Sequence, residues 1–210
     1  MTQGTSPLIV GRSSSHFTRV ARLFAHELGV DYDFQPVLDL KSVNRADYAD
    51  NPTLRVPILR TEQGTWFGAL NISRELARRS TRGLRVVWPE DLTLPLAANA
   101  QELALQTMAT EGVLIMAKVC GTSGDAGYLQ KLRVALENSI DWLEAHVDEA
   151  LASLPAERDV SALEVTLFCL VSHLDFREIL AMAPYARLSA FAARFAERPS
   201  AQATTYRFDV

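Results

Sequence analysis

Hydrophobic positions in the first 80 residues recur with two different spacings, which predicts strands mixed with helices. The apolar run at 8–10 predicts a buried strand, and alternating apolar positions between 32 and 37 predict a second one. Between them, residues 17–28 have helical spacing, and Gly29 stands where a helix C-terminus favours a left-handed residue. Apolar runs on both sides of 62–64 predict a hairpin, so the order is strand, helix, strand, short helix, strand, strand, helix.

The pattern changes after the stretch 84–95, which contains two prolines and is predicted to be a linker. Beyond it every periodic segment is helical. Residues 129–151 keep an apolar stripe over about six turns, as an amphipathic helix does. Residues 163–176 are apolar on nearly all sides, which predicts the buried centre of a helical bundle. The chain is therefore predicted to be an α/β domain over residues 1–83 followed by an all-α domain over residues 96–210.

Composition narrows the classes of function. The 210 residues are 48% hydrophobic with a formal net charge of −4, which is ordinary globular usage and argues against nucleic acid as the main partner. The two cysteines, Cys120 and Cys169, exclude a disulfide scaffold, and no ligand pair has the spacing of a metal site. No signal peptide and no apolar run of about 18 residues is found, so a cytoplasmic protein without a membrane span is expected.

One pair of polar residues marks the start of the apolar helix. Ser161 is followed three residues later by Glu164, the spacing of a capping box, in which each side chain accepts from a main-chain N–H of the other residue. The pair is therefore predicted to stabilise the fold and to have no part in a reaction.

The Val56–Pro57 pair opens a predicted strand, where proline is tolerated because it has no N–H to donate. A trans bond would make a rigid turn, whereas a cis bond would expose the backbone of Val56 to a peptide-like ligand. Since only about 5% of bonds before proline are cis in folded proteins, the dipeptide alone favours trans.

The loop between the first strand and the first helix contains three consecutive serines, Ser13, Ser14 and Ser15. Serine hydroxyls at this place cap the helix by accepting from its free N–H groups. The same helix end favours an anion, so a serine here could hold a thiolate and lower the pKa of the thiol. Spacing alone favours the capping role.

Together these features resemble the glutathione transferase family, and specifically its bacterial, serine-type branch, over nearly the whole chain. The Val56–Pro57 pair stands where that family has a cis proline. Residues 161–177 (SALEVTLFCLVSHLDFR) are similar to its capping box and buried helix, and residues 195–200 with 202–204 resemble its usual tail. The resemblance implies a thioredoxin-like domain with a mixed four-stranded sheet, followed by the helical bundle.

The resemblance also implies a reaction and a site. Ser15 falls where the family's hydroxyl activates glutathione, with Ser13 and Ser14 as alternates, and the glutathione thiolate attacks a small hydrophobic electrophile. Val56 and Pro57 would hold the backbone of glutathione. Glutathione is then a co-substrate, no metal is required, and the protein is expected to be a cytoplasmic homodimer that acts in detoxification.

One departure from the family weakens this assignment. The family opens its next helix with an acidic residue and a serine that hold the γ-glutamyl end of glutathione, whereas this chain has Gly68 and Ala69. Neither side chain forms hydrogen bonds, although main-chain N–H groups can bind a carboxylate there, and Asn71 or Ser73 could compensate. Weak binding of glutathione is therefore expected.

Two functions of different classes stay open on the sequence. The serine loop favours a glutathione-dependent transferase, whereas Gly68 and Ala69 favour a non-catalytic interaction or regulatory module on the same fold. A thiol-disulfide oxidoreductase is disfavoured because no cysteine occurs before Cys120.

Overall fold

A computed structural model describes residues 6–121 and 126–210 of the chain. By its internal contacts the chain forms two compact units, one that runs up to Gly83 and includes Glu197–Val210, and one that comprises Leu84–Ala196.

Six strands, seven helices and two short 3₁₀ turns make up the described secondary structure. In chain order they are β1 (Leu8–Gly11), α1 (His16–Leu28), β2 (Asp33–Pro36), a 3₁₀ turn (Arg45–Tyr48), β3 (Ile58–Thr61), β4 (Gly64–Phe67), α2 (Ala69–Arg79), β5 (Val86–Val87), a 3₁₀ turn (Pro89–Asp91), α3 (Pro95–Cys120), α4 (Ala126–Ala152), β6 (Val160–Ser161), α5 (Ala162–Phe176), α6 (Ala186–Ala196) and α7 (Pro199–Gln202).

The first unit is built on a four-stranded mixed sheet in the order β2-β1-β3-β4. β1 pairs with β2 in parallel and with β3 antiparallel, and β3 and β4 form the predicted hairpin. On one face Val10 and Ile58 pack in a buried cluster with Val37 and Tyr48. Because alternate strand residues point to opposite faces, the buried Ile9 belongs to the other face. The predicted α/β class and mixed sheet are confirmed.

The α1 helix begins and ends where the sequence predicted. Ser15 is its N-cap, and Gly29 ends it with φ of 64°. The α2 helix packs against α1 and starts at Ala69, with Gly68 as its N-cap. The helix therefore begins directly after β4 and Gly68.

Residues 197–210, called the strap below, pack along α1 although almost the whole chain separates the two segments. At the C-terminal end of α1, Arg198 donates to both oxygens of Glu27 at 2.7 and 2.8 Å, and the Ser200 hydroxyl donates to the same carboxylate. Burial alone would raise the pKa of Glu27, but these hydrogen bonds outweigh it and hold the pKa below its usual range.

The middle of α1 holds the strap through a buried arginine. The guanidinium of Arg19 donates to the carbonyl of Ala201 at 3.2 Å and lies 4.3 Å from the centre of the Tyr206 ring. An arginine over an aromatic face gains a cation–π attraction that is larger when the charge is desolvated. Arg19 and Glu27 therefore fix the course of the strap along α1.

The second unit is helical apart from the short parallel pair of β5 and β6. Its centre is α5, whose buried residues lie on nearly all sides of the helix, and α3 and α6 pack against it. Phe168 of α5 stacks on Phe195 of α6 with ring centres 4.6 Å apart. The stretch predicted as a linker, 84–95, contains β5 and a 3₁₀ turn, and its Val86 pairs with Val160.

Among the described residues, α3 is long and apolar enough to cross a membrane, judged by length and composition alone. Its most apolar 18 residues have a mean hydropathy of 1.3. A third of that window is buried inside the protein, and α3 packs against α4 and α5, as a core helix of a bundle does. The expectation of no membrane span stays a prediction.

The start of α5 contains half of the predicted capping box. The Ser161 hydroxyl accepts from the Glu164 N–H at 3.0 Å, as expected. The Glu164 carboxylate instead accepts from the Ser161 hydroxyl at 2.7 Å and from two nitrogens of Arg158 at 2.9 and 3.1 Å. The Ser161 backbone is part of the β5–β6 pair, so serine and glutamate are joined by their side chains.

We expect Ser161→Ala to lower the free energy of unfolding by about 1 kcal/mol through the lost cap. Because Ser161 and Glu164 share a hydrogen bond, the losses from Ser161→Ala and Glu164→Ala should not add in the double variant. Chemical denaturation of the four proteins measures this coupling, and strictly additive losses would show that the two side chains act independently.

Candidate active site

The serine loop is held in shape by its close approach to α1. A Cβ added to Gly11 would lie 2.5 Å from Thr18 Cγ2, so only glycine fits there without a shift. The Arg12 N–H donates to Thr18 Oγ1 at 3.3 Å, and the Thr18 N–H donates to Ser15 Oγ at 3.2 Å. The predicted capping role of Ser15 is thereby confirmed.

The three serines of the loop have different environments. Ser13 and Ser14 are only 2% and 5% exposed, whereas Ser15 is partly exposed. Ser14 Oγ accepts from Arg12 Nε at 3.2 Å, and Ser13 Oγ has no hydrogen-bond partner among the described residues. Ser15 uses a lone pair for the cap, so its O–H proton is still able to donate to a ligand. Exposure and hydrogen bonding therefore favour Ser15 over its two alternates.

Arg12 was not identified as a site residue from the sequence. Its guanidinium donates to the carbonyls of Val37, at 3.2 Å, and Leu38, and also to Ser14. It therefore ties the serine loop to the segment after β2. No local pattern distinguishes this arginine from a solvent-exposed one, because both carbonyls are about 25 residues away in sequence.

The strap reaches the serine loop at its far end. The Ser13 N–H donates to Asp209 Oδ2 at 2.7 Å, and the other carboxylate oxygen lies 4.0 Å from Arg207 Nε. The Asp209 side chain is 8% exposed. A carboxylate of the strap thus contacts the loop that the sequence analysis identifies as favourable for an anion.

The segment before β3 is shaped by Asn51 and a cis bond. The buried Asn51 donates from Nδ2 to the Arg55 carbonyl at 2.7 Å, and its Oδ1 accepts from the Thr53 N–H at 3.1 Å. The Val56–Pro57 peptide bond is cis, which confirms what the family resemblance implied.

The N-terminus of α2 has no side-chain cap among the described residues. Gly68 is the N-cap with φ of 82°, and Ala69 is buried. Asn71 is exposed and donates to the Phe67 carbonyl at 3.2 Å. Ser73 is fully buried and donates to the Ala69 carbonyl at 2.8 Å, so of the two side chains considered as replacements only Asn71 is accessible.

The register of the sheet brings these three segments to one end of it. Val10, next to the serine loop, is opposite Ile58, the residue after Pro57. Ile58 is in turn opposite Phe67, the residue before Gly68. The serine loop, the Val56–Pro57 pair and the start of α2 therefore lie side by side, although the first and the last of these segments are more than 50 residues apart in sequence.

A buried acid–base pair lies in the second unit. Glu111 of α3 and His173 of α5 are 0% and 3% exposed in their side chains, with 2.7 Å between Oε1 and Nδ1. Burial raises the pKa of Glu111, and the contact with His173 opposes that effect only in part. The expectation that no metal is required stays a prediction.

Part of the first unit is similar to a domain of known proteins. Residues 14–79 match the family model described as the glutathione S-transferase N-terminal domain. This match confirms the family resemblance for that domain. A comparison with curated proteins found no match.

Solved structures share the fold over nearly the whole chain. A glutathione S-transferase from Methylobacillus flagellatus KT, solved with glutathione bound, has a TM-score of 0.77 at 19% identity and covers 96% of this chain and 100% of its own. A glutathione transferase family member from Pseudomonas fluorescens Pf-5 with bound glutathione has a TM-score of 0.76 at 20% identity, with the same coverage. A Tau class enzyme from mango has a TM-score of 0.71 at 16% identity, covering 97% of this chain and 94% of its own.

Proposed function

We propose that this chain, which has the glutathione S-transferase fold and a matching N-terminal domain, is a glutathione transferase. The observation that carries the proposal is the convergence of the serine loop, the Val56–Pro57 pair and the start of α2 at one end of the sheet. Each of these segments offers a different group to a tripeptide: a hydroxyl, a main chain beside a cis proline, and free helix N–H groups.

The Ser15 hydroxyl is the proposed donor to the glutathione sulfur. Cysteine thiols have a pKa of about 8.5, and the reactive form is the thiolate. A hydrogen bond from Ser15 and the N-terminus of α1 both favour the ionised sulfur. The thiolate then forms a carbon–sulfur bond with the electrophile, and the leaving group or the opened bond takes the electron pair. This step needs no metal.

The remainder of glutathione is assigned to main-chain groups. Val56, held by the turn that Asn51 organises, would pair with the peptide backbone of the ligand. The γ-glutamyl carboxylate would bind the uncapped N–H groups that follow Gly68, with Asn71 at the rim. The proposed second substrates are small hydrophobic electrophiles, and the proposed location is the cytoplasm. The protein is also proposed to be a homodimer, which analytical ultracentrifugation would detect.

We expect Ala69→Ser to tighten glutathione binding, because a hydroxyl would add a hydrogen bond at the start of α2. A hydrogen bond to a charged group is worth about 1.5–3 kcal/mol, so a tenfold or larger decrease in Kd is expected. The measurement is a calorimetric titration of wild type and variant. Gly68→Glu is a poor companion change, because φ of 82° at Gly68 strains any residue with a Cβ.

The absence of a hydroxyl or acid at 68 and 69 favours a second candidate, a non-catalytic interaction module that binds little or no glutathione. Retention on immobilised glutathione with release by free glutathione separates the two functions. If neither wild type nor Ala69→Ser binds glutathione while both remain folded, the transferase proposal fails and the interaction module stands.

A further inference from the structure

The Asp209 carboxylate contacts the same serine loop whose Ser15 hydroxyl is the proposed donor to the ligand sulfur. It accepts from the Ser13 N–H at 2.7 Å, two residues before Ser15, the N-cap of α1. The contact is long-range, since 196 positions separate the two partners, and it adds an attachment at the serine loop to the two that the strap makes with α1.

The carboxylate is placed to act electrostatically on the loop. Its side chain is 8% exposed, so water screens it less than it screens a surface charge. Within the described residues its ion-pair partner is Arg207, whose Nε is 4.0 Å away and whose own side chain is 66% exposed. The negative charge at Ser13 is therefore only partly neutralised.

The loop retains a donor beyond the N–H that Asp209 takes. Ser15 is partly exposed, and its hydroxyl still has a proton to donate. A ligand atom can therefore still be hydrogen-bonded at this loop. If that atom is negative, it is attracted by the helix end and repelled by the nearby carboxylate.

We propose that Asp209 is a specificity-determining residue, which makes the serine loop discriminate against negative charge at the ligand sulfur. The proposal rests on the proposed binding of glutathione. Asp209 contacts the loop and not the ligand, so it acts through charge and through the Ser13 N–H. Compared with the same loop lacking the carboxylate, the site therefore binds a neutral sulfur, as in a thiol or a thioether conjugate, better relative to a negatively charged sulfur group.

Two glutathione derivatives with fixed charge at sulfur test this proposal. Glutathione sulfonate carries a permanent negative charge there, and S-methylglutathione carries none. Calorimetry at low ionic strength gives the Kd of each for wild type, Asp209→Asn, Asp209→Ala and Glu197→Gln. Glu197→Gln is the matched control, because it removes the same charge from an exposed position of the strap.

Asp209→Asn should tighten the sulfonate by about threefold to tenfold and change S-methylglutathione by less than about twofold. Asp209→Ala should shift the ratio of the two Kd values in the same direction, and Glu197→Gln should leave it at the wild-type value. If the ratio of the two Kd values is unchanged in Asp209→Asn, the proposal is overturned. A ratio that changes in Asp209→Ala but not in Asp209→Asn also overturns it, because the effect then comes from the lost hydrogen bond and not from the charge. Failure of both probes to bind any folded protein overturns the proposed function itself, and the inference with it.

Discussion

Ser15→Ala should slow glutathione conjugation at neutral pH by about tenfold to a hundredfold. The proposed hydrogen bond from Ser15 to a charged sulfur is worth about 1.5–3 kcal/mol, and each 1.4 kcal/mol changes a rate by a factor of about ten. The loss should appear as a higher pKa of the bound thiol in the pH profile of the rate. Much of the activity should return at high pH, where the thiolate forms without help from the protein.

The cap formed by Ser15 requires a control for stability. Ser15 also accepts from the Thr18 N–H, so Ser15→Ala should cost about 1 kcal/mol of unfolding free energy. Ser15→Thr keeps the hydroxyl and the cap, and is expected to retain most of the activity. Ser13→Ala and Ser14→Ala should have smaller effects, because both residues are buried. A larger rate loss in either would reassign the donor.

Glu111→Ala should lower the free energy of unfolding by about 3 kcal/mol, because it leaves the buried His173 ring without this hydrogen-bond partner and opens space in a packed region. The change removes the carboxyl group that lies 2.7 Å from His173 and leaves a cavity between α3 and α5. Glu111→Gln keeps the size and a hydrogen-bonding oxygen, so it should cost clearly less. If both variants lose the same unfolding free energy, the hydrogen-bonding oxygen that Glu111→Gln keeps does not contribute to stability. Urea denaturation measures both.

The raised pKa of Glu111 also predicts a pH dependence with a definite sign. An unfolded glutamate has a pKa of about 4.3, and in the folded protein burial raises that value. The contribution of Glu111 to stability is therefore full below about pH 4.3 and is lost as the pH rises through the folded pKa. The stability of wild type relative to Glu111→Gln should fall over that interval. A relative stability that increases with pH would contradict the assigned direction.

Local signals in the sequence were sufficient for the elements and for part of the site. Helical spacing and Gly29 placed α1, and the apolar segment after Ser161 placed α5, because periodicity and caps act within a few residues. The start of α2 was less well defined, since Gly68 and Ala69 carry neither a capping side chain nor a large apolar group. Hydrophobic periodicity and capping residues therefore do not define where this helix begins.

Contacts between distant segments could not be predicted in this way. Nothing near Ser13 indicates that its N–H meets Asp209, and nothing near Glu111 indicates His173 on a facing helix. Such pairs depend on how whole elements pack, which a single sequence does not reveal. The same limit applies to Glu164, whose partner Arg158 precedes the helix that the capping box marks.

The attachment of the strap to α1 has a consequence for the order in which the protein is completed on the ribosome. The strap is synthesised only after residues 84–196, a delay on the order of 10 s at ordinary rates of translation. During that interval a nascent chain has α1 and the sheet, but Arg19 and Glu27 lack their partners and the Ser13 N–H has no carboxylate. The strap is thus synthesised after the rest of the first unit and after the second unit, so a chain interrupted in its second unit lacks the contacts of the strap with α1 and the serine loop.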